Sequence, residues 1–292
     1  MTVTTRRIEA NGHSFLVDEA GEGDAVALLL HGFPESRFSW RYQIPLLAAL
    51  GWHVIAPDMR GYGGSSRPKS RGDYAVDHLV EDAAALFDAV GARRRLLVAH
   101  DWGAMVAWVF AIRRRLDLDG LVIMNVPHPA VFTRVLKTSW RQALRSWYVA
   151  FFQIPRLPEA MLIARNAQAV VRAFSGMAVD KSRFPPDVTD VYRDNALIPG
   201  AMTAMINYYR ANGDLIARFG GAPAIIETPT LMVWGEADSA LGIECTEGYG
   251  PYVRNFTLRR LPGVSHWVQQ EAPEAVNAIL GGWLAEHVAP AA

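Results

Sequence analysis

Three ionisable residues each follow an apolar run of strand length, and their types could support covalent catalysis. They are Asp101, Asp238 and His266. A carboxylate can attack an electrophilic carbon and form an ester. Hydrolysis of that ester requires a water activated by a base, usually a histidine held by a second acid. The chain order therefore predicts Asp101 as nucleophile, Asp238 as acid and His266 as base, with Glu236 open as an alternative acid.

The segment Leu96–Met105 is the most specific pattern in the chain, because it has the form of a strand, a sharp turn and a helix. Small residues, Ala99 and Gly103, stand two positions on either side of Asp101. A sharp turn from strand to helix needs small residues there, since the backbone packs closely. Asp101 would then project from the apex, beside the positive end of the helix. The alternative is that Asp101 only caps the helix.

A second turn, His31–Glu35, comes directly after the apolar run Ala25–Leu30. Gly32 and Pro34 predict a tight turn that can direct the backbone N–H of Phe33 at the nucleophile. The N–H of Trp102 would approach from the other side, so that the two donors form an oxyanion hole. We interpret His31 as a side chain that fixes the turn by bonding to backbone.

Other kinds of site are excluded by the motifs that the chain lacks. The eight histidines are scattered, without HxxxH or HExxH spacing, so we expect no metal. No glycine-rich segment completes GxGxxG between a strand and a helix, and no Walker lysine motif or GxSxG occurs. We therefore expect no cofactor. We assign His100, next to Asp101, a supporting role.

The elements that must position these residues are predicted from apolar patterning. Asn11-Gly12 lies between two alternating segments and is a strong hairpin signal. Apolar runs without polar alternation, typical of strands buried on both faces, alternate with helical stretches. This pattern predicts an α/β fold with a mostly parallel, doubly wound sheet. The strand runs are Ala25–Leu30, His53–Ala56, Arg95–Ala99 and Leu121–Val126, and the helical stretches are Tyr74–Ala89 and Trp102–Leu116.

Residues 128–223 have a different texture, with amphipathic, aromatic and arginine-rich stretches interrupted by prolines. Strand patterning resumes at Thr230–Trp234 and Phe256–Leu261, and a last helix is expected from Pro273 to about His287. We therefore expect a core domain of residues 1–127 and 224–292, with residues 128–223 inserted as a helical cap. A cap in this place would cover the sheet edge at which open α/β sheets bind ligands.

Composition indicates a small, uncharged ligand. The 292 residues include 29 basic and 29 acidic residues, so the net charge gives no footprint for nucleic acid or anionic lipid. The apolar stretch Trp102–Ile112 is too short to span a bilayer, so we expect no membrane insertion. A single cysteine, Cys245, and the lack of an apolar segment after Arg6-Arg7 favour a cytoplasmic location.

The motifs taken together resemble the α/β-hydrolase fold, and within it the epoxide hydrolases that use an aspartate nucleophile. HGFPE at His31–Glu35 is similar to the HGxP element of that family, and HDWG at His100–Gly103 is similar to its nucleophile elbow. Asp238 and His266 fall where the family has its acid and base. The resemblance implies a small-molecule epoxide as substrate, a vicinal diol as product and a homodimer.

The resemblance also implicates two tyrosines of the expected cap. The family uses one tyrosine five residues before the Gln of a Phe-Gln pair and another in an Asn-aromatic-Tyr-Arg string. Tyr148 precedes Phe152-Gln153, and Tyr209 closes Asn207-Tyr208-Tyr209 before Arg210. A phenol can donate a proton to the alkoxide that epoxide opening leaves, and it tolerates an apolar pocket. Without the resemblance, both are ordinary helix aromatics.

Two other functions remain open from the sequence. A haloalkane dehalogenase shares the aspartate nucleophile, but its second halide donor is commonly an Asn where Phe33 stands, or a cap tryptophan such as Trp140 or Trp147. Fluoroacetate dehalogenases carry Arg where this chain has Trp102. A non-catalytic ligand-binding member of the fold would be expected to lose one of the three catalytic groups, and this chain retains candidates for all of them.

Overall fold

The computed structural model describes residues 2–221 and 224–289, and its centre is one eight-stranded sheet. The strand order is β1-β2-β4-β3-β5-β6-β7-β8. β1 and β2 form an antiparallel ribbon through Asn11-Gly12, and β2 pairs with β4, also in the antiparallel direction. The remaining strands, β4, β3, β5, β6, β7 and β8, are parallel to one another. The predicted α/β class is thus confirmed. The strands are Thr4–Ala10, His13–Ala20, Ala25–Leu30, His53–Pro57, Arg94–His100, Gly120–Met124, Thr230–Gly235 and Phe256–Leu261.

Helices cover both faces of the sheet, as a doubly wound parallel sheet requires. On one face, α1 and α12 pack through residues such as Leu47, Leu280 and Trp283. On the other face, α2 and α3 pack through residues such as Phe87 and Val106. The strands between them carry fully buried aliphatic side chains. These helices are α1 Gln43–Ala49, α2 Val76–Ala89, α3 Asp101–Ile112 and, after β8, α11 Val268–Glu271 and α12 Pro273–His287.

Between β6 and β7, the described residues 125–221 form seven further α-helices and one short 3-10 helix, and no strand. Residues 164–167 interrupt the helical dihedral angles of α7. The expected end of the insert, at Pro223, lies outside the described residues. The helices are α4 Pro129–Thr138, α5 Trp140–Arg145, α6 Trp147–Phe151, α7 Leu157–Met177, α8 Pro186–Leu197, α9 Ala201–Ala211 and α10 Leu215–Phe219.

Two predicted elements end earlier than expected, and in both a residue adopts the left-handed backbone conformation. The predicted helix 102–116 ends at Ile112, and Arg114 has a φ of 49°. The predicted strand 121–126 ends at Met124, and Asn125 has a φ of 47°. Left-handed dihedral angles cannot continue a helix or a strand. Asn adopts them more readily than most residues, but Arg does not, so the sequence gives no clear sign of the end at Arg114.

Within the described ranges, no helix is both long and apolar enough to cross a membrane. Cys245 is completely buried, and burial raises the pKa of its thiol to about 12. A thiol with such a pKa is protonated and unreactive at neutral pH.

Candidate active site

Asp101 stands at the apex of the turn between β5 and α3. Its φ of 47° lies in the left-handed region, which costs a non-glycine residue about 1–3 kcal/mol. Two glycines make room for this conformation. A Cβ at Gly103 would overlap the carbonyl oxygen of Leu30, and a Cβ at Gly32 would overlap the Asp101 side chain. The strained turn therefore holds the Asp101 carboxylate at the carboxyl end of the central strand.

The first turn after β3 supplies a hydrogen bond to this carboxylate. The backbone N–H of Phe33 donates to Oδ1 of Asp101 at 2.6 Å. The Phe33–Pro34 peptide bond is cis. Trp102 is the second residue of α3, where backbone N–H groups have no acceptor within the helix. The structure thus directs one of the two expected donors at Asp101 and places the other beside it.

His266 lies between the two candidate carboxylates. Its Nδ1 is 2.6 Å from Oδ2 of Asp238, and its Nε2 is 3.6 Å from Oδ2 of Asp101. The first distance is a short hydrogen bond, and the second is too long for one. Both the imidazole and Asp238 are almost fully buried. Asp238 therefore orients the imidazole, and Nε2 faces the Asp101 carboxylate across a narrow gap.

Asp238 is the acid that contacts His266, whereas Glu236, the alternative acid, is exposed to solvent. Oδ1 of Asp238 accepts from the N–H groups of Ala240 and Leu241, at 2.7 and 2.9 Å. Oδ2 accepts from the side-chain amide of Asn125 at 2.7 Å. Sequence reasoning missed Asn125, although it follows a buried parallel strand as Asp101 does. The Asn125 amide therefore helps to hold the Asp238 carboxylate in the position from which it orients His266.

The charges of the site favour an ionised carboxylate and a protonated imidazole before reaction. Burial lowers the pKa of His266, but the carboxylates of Asp238 and Asp101 outweigh burial and raise it to about 10. Burial raises the pKa of Asp101, but His266, His100 and the N–H of Phe33 outweigh it, and the pKa is lower than usual. The Asp101 carboxylate is therefore ionised at neutral pH.

Tyr148 and Tyr209 come from α6 and α9 and face the same space as Asp101. Their ring centroids are 6.0 Å apart, and both side chains border the cavity above the carboxylate. Burial and the Asp101 charge raise the pKa of both phenols. A hydrogen bond from the Trp102 side chain partly offsets this rise at Tyr209. Both phenols therefore carry their protons at neutral pH and can donate them.

The His31 side chain lies under the turn His31–Glu35, and both of its hydrogen bonds are to backbone groups. Its Nε2 accepts from the N–H of Met59 at 2.9 Å. That bond leaves the proton on Nδ1, which donates to the carbonyl oxygen of Gly32 at 3.0 Å. His31 is completely buried and does not border the cavity. Pro34, in contrast, is one of the cavity-lining residues.

Glu35 joins the loops that carry the site, and sequence reasoning assigned it no role. Its Oε2 accepts from the N–H of Gly32 at 2.8 Å and lies 2.7 Å from Nδ1 of His100. Nε2 of His100 donates to the carbonyl oxygen of His266 at 2.9 Å. Glu35 and His100 are completely buried. The signal was present in the HGFPE motif, where a carboxylate directly follows a buried strand.

The cavity has two arms, which meet at Asp101, Tyr148 and Tyr209. The larger arm has a volume of about 460 Å³ and extends past Trp267. The smaller arm, of about 150 Å³, extends past Met105. Both arms have mainly apolar walls, as small-molecule sites usually do. Other residues of the larger arm are Phe151, Phe152, Leu162, Ala173 and Met177, and those of the smaller arm include Val126, Phe132, Leu215 and Ile216.

Among residues 2–221 and 224–289, no three His, Cys, Asp or Glu side chains are arranged to hold a metal ion.

An acid at the turn after a central strand, with a second acid and a histidine after later strands of a mostly parallel sheet, defines an α/β hydrolase. The model of the alpha/beta hydrolase fold family matches residues 26–273. The chain therefore belongs to this family.

Comparison with individual proteins narrows the assignment to the epoxide hydrolases. Epoxide hydrolase 4 of Mus musculus is 36% identical over 286 residues, which cover 96% of this chain and 79% of that protein. Epoxide hydrolase A of Mycobacterium tuberculosis is 34% identical, with 95% and 96% coverage. A crystal structure of the Bacillus megaterium epoxide hydrolase with an inhibitor superimposes with a TM-score of 0.88 at 30% identity, covering 96% and 100%. The chain is a member of the epoxide hydrolase family.

Proposed function

We propose that this protein adds water to an apolar epoxide and releases a vicinal diol, through a covalent ester on Asp101. One arrangement supports the proposal above all others. A carboxylate held by the N–H of Phe33 shares a cavity with two phenols, Tyr148 and Tyr209, on one side. On another side, it faces a histidine that is held by a buried acid.

The first step is the opening of the epoxide ring. Oδ2 of Asp101 is free of the Phe33 N–H and attacks an epoxide carbon, and the carbon–oxygen bond breaks. The electron pair of that bond goes to the epoxide oxygen, which takes a proton from Tyr148 or Tyr209. An alkoxide is a poor leaving group, so this proton determines the rate of opening. The product is a hydroxyalkyl ester.

The second step is the hydrolysis of the ester. Esterification removes the charge of Asp101, one of the two carboxylates that raise the pKa of His266, so the imidazole loses its proton more easily. Nε2 then takes a proton from water, whose oxygen attacks Cγ of Asp101. The N–H groups of Phe33 and Trp102 hold the negative oxygen. Cleavage of the acyl bond releases the diol, protonated by His266. The proton of the regenerated carboxyl group returns to the phenol through solvent, and His266 regains from solvent the proton that it lost before hydrolysis.

The shape of the cavity supports an apolar epoxide with substituents of unequal size. The reacting groups lie where the arms of about 460 and 150 Å³ meet. A bulky substituent fits the larger arm, and a small one fits the smaller arm. We propose that residues 128–221 act as the cap that closes this cavity, since they supply both phenols. The single cysteine supports a cytoplasmic location, and the family resemblance supports a homodimer.

A parallel assay of styrene oxide and a bromoalkane tests this function. We expect diol release from the epoxide and no bromide release. Trp140, one candidate halide donor, is 70% exposed and does not border either arm of the cavity. Release of bromide without formation of diol would instead assign the protein to the dehalogenases. Size-exclusion chromatography with light scattering tests the homodimer.

A further inference from the structure

The surface of α5 and α6 carries large apolar side chains in an unusual arrangement. Trp140, Leu144 and Trp147, which we call the tryptophan patch, are 70%, 63% and 63% exposed. Trp140 and Leu144 are four residues apart and lie on one face of α5, and Trp147 is the first residue of α6, directly after it. Single exposed apolar residues are normal, but a continuous group with two tryptophans marks an interaction surface.

The chain around this patch is strongly basic, although the whole protein is neutral. No acidic residue occurs between Asp119 and Glu159. The same segment contains five basic residues, at positions 134, 137, 141, 145 and 156. The balance of 29 basic and 29 acidic residues therefore conceals a local positive excess. The composition of the complete chain could not reveal it.

These basic side chains are available to a partner. Lys137, Arg141 and Arg145 are exposed and form no ion pair with the residues that the structure describes. Arg141 lies over the ring of Trp140, with 5.7 Å between its guanidinium carbon and the ring centroid. The neighbouring acid Glu244, which follows β7, accepts a hydrogen bond from the Ser139 hydroxyl at 2.8 Å. Burial raises the pKa of Glu244, but its hydrogen bonds and the charges of Arg145 and Arg141 outweigh burial and lower it. One acid opposes several cations.

We propose that the tryptophan patch and its basic rim form a docking surface for anionic phospholipid. Tryptophan rings suit the boundary between headgroups and acyl chains, and nearby lysines and arginines attract anionic headgroups. A protein partner would need complementary acids, whereas a lipid surface satisfies the cations and tryptophans together. The docking is peripheral, so it requires no helix that spans the bilayer.

The tryptophan patch lies next to the larger arm of the cavity. Trp147 and Arg145 belong both to this surface and to the wall of the larger cavity arm. The exposed Met161 of α7 also lines that arm. The cavity therefore opens where the protein would meet the lipid. Apolar compounds concentrate in membranes. A substrate dissolved in the bilayer could then enter the larger arm without first crossing water, whichever reaction the site performs.

Vesicle binding by the complete protein, without substrate, tests the proposal. We expect co-sedimentation with vesicles of phosphatidylcholine and phosphatidylserine, weaker binding to phosphatidylcholine alone, and loss of binding at high salt. Lys137→Gln with Arg141→Gln should weaken the binding about 25-fold, at roughly fivefold per basic residue. Trp140→Ser with Leu144→Ser should nearly abolish it. None of these four residues lines the cavity, so styrene oxide turnover should be unchanged.

A matched control uses exposed residues at the opposite edge of the sheet. Arg93→Gln with Leu50→Ser changes one cation and one exposed apolar residue, next to the amino ends of β5 and β4, and should bind vesicles as the unchanged protein does. If the tryptophan and leucine variant is unfolded by circular dichroism, the charge variant decides the test. Equal vesicle binding by the charge variant and the control would overturn the proposal. So would a dimer that becomes a monomer on Trp140→Ser with Leu144→Ser, since the patch would then be a self-contact.

Discussion

Nε2 of His266 lies 3.6 Å from Oδ2 of Asp101 and is not hydrogen-bonded to it. The other ring nitrogen is fixed by Asp238 at 2.6 Å. The histidine is thus oriented firmly on one side and remains free on the side of the nucleophile. This asymmetry suits a base that acts on a water only after Asp101 has reacted.

Replacement of the base should separate the two chemical steps. His266→Gln retains Asp101 and both phenols, so the ester should form, but its hydrolysis should slow by about 10²–10⁴-fold. Intact-protein mass spectrometry should show a gain equal to the mass of the epoxide. The double variant Asp101→Ala with His266→Gln is the control and should gain nothing. Modification of the control would place the ester on another residue.

Removal of the two phenols should stop ring opening. Tyr148→Phe with Tyr209→Phe takes both proton donors from the cavity, and we expect opening to slow by at least about 10²-fold. Pre-steady-state measurement of ester formation monitors this step. Tyr208→Phe is a matched control, because the Tyr208 hydroxyl donates to the carbonyl oxygen of Arg60 at 2.7 Å, away from the cavity. Normal opening in the double variant would show that neither phenol is the acid.

Protein stability should depend on pH through His266. Its pKa is about 10 in the folded protein, above the usual value of about 6.5. A raised pKa means that the folded state binds the proton more tightly, so the stabilisation is complete below about pH 6.5 and disappears as the pH rises through about 10. The difference in Tm between the unchanged protein and His266→Gln should shrink over that range. A constant difference would contradict the raised pKa.

Gly32 should tolerate no side chain. Gly32→Ala would place a Cβ against the Asp101 side chain, so the carboxylate would have to move and kcat/KM should fall by at least tenfold. Gly282→Ala is a suitable control. Apart from the chain neighbours and the backbone of α12 itself, no atom lies within 4 Å of the Cβ that it would add, and alanine should stabilise the helix by about 0.5–1 kcal/mol. An active Gly32→Ala variant would show that the turn has more space than the structure indicates.

The sequence predicts the order of the strands and of the turns that follow them, but not the contacts between those turns. Strand and turn patterns place Asp101, Asp238 and His266 at one edge, because the carboxyl ends of parallel strands share that edge. They do not reveal that Asn125 reaches Asp238 across 113 residues, or that Glu35 reaches His100 across 65. Such contacts depend on how the loops pack, and local propensity carries no information about that.

The choice between Glu236 and Asp238 has the same origin. Both acids follow β7, and a difference of two residues decides which side chain points inward. The structure buries Asp238 against His266 and exposes Glu236. Asn125, with its left-handed φ of 47°, contributes to this result by holding both the N–H of Gly235 and the Asp238 carboxylate.

The central claim is the covalent ester on Asp101, and oxygen labelling in a single turnover tests it most directly. Excess enzyme is mixed with an epoxide in heavy-oxygen water, and the Asp101 peptide and the diol are analysed by mass spectrometry. If water attacks Cγ of Asp101, the heavy oxygen enters the carboxylate, and the first diol carries an unlabelled oxygen from the protein. Heavy oxygen in the diol with none in the Asp101 peptide would contradict the ester and indicate direct attack of water on the epoxide.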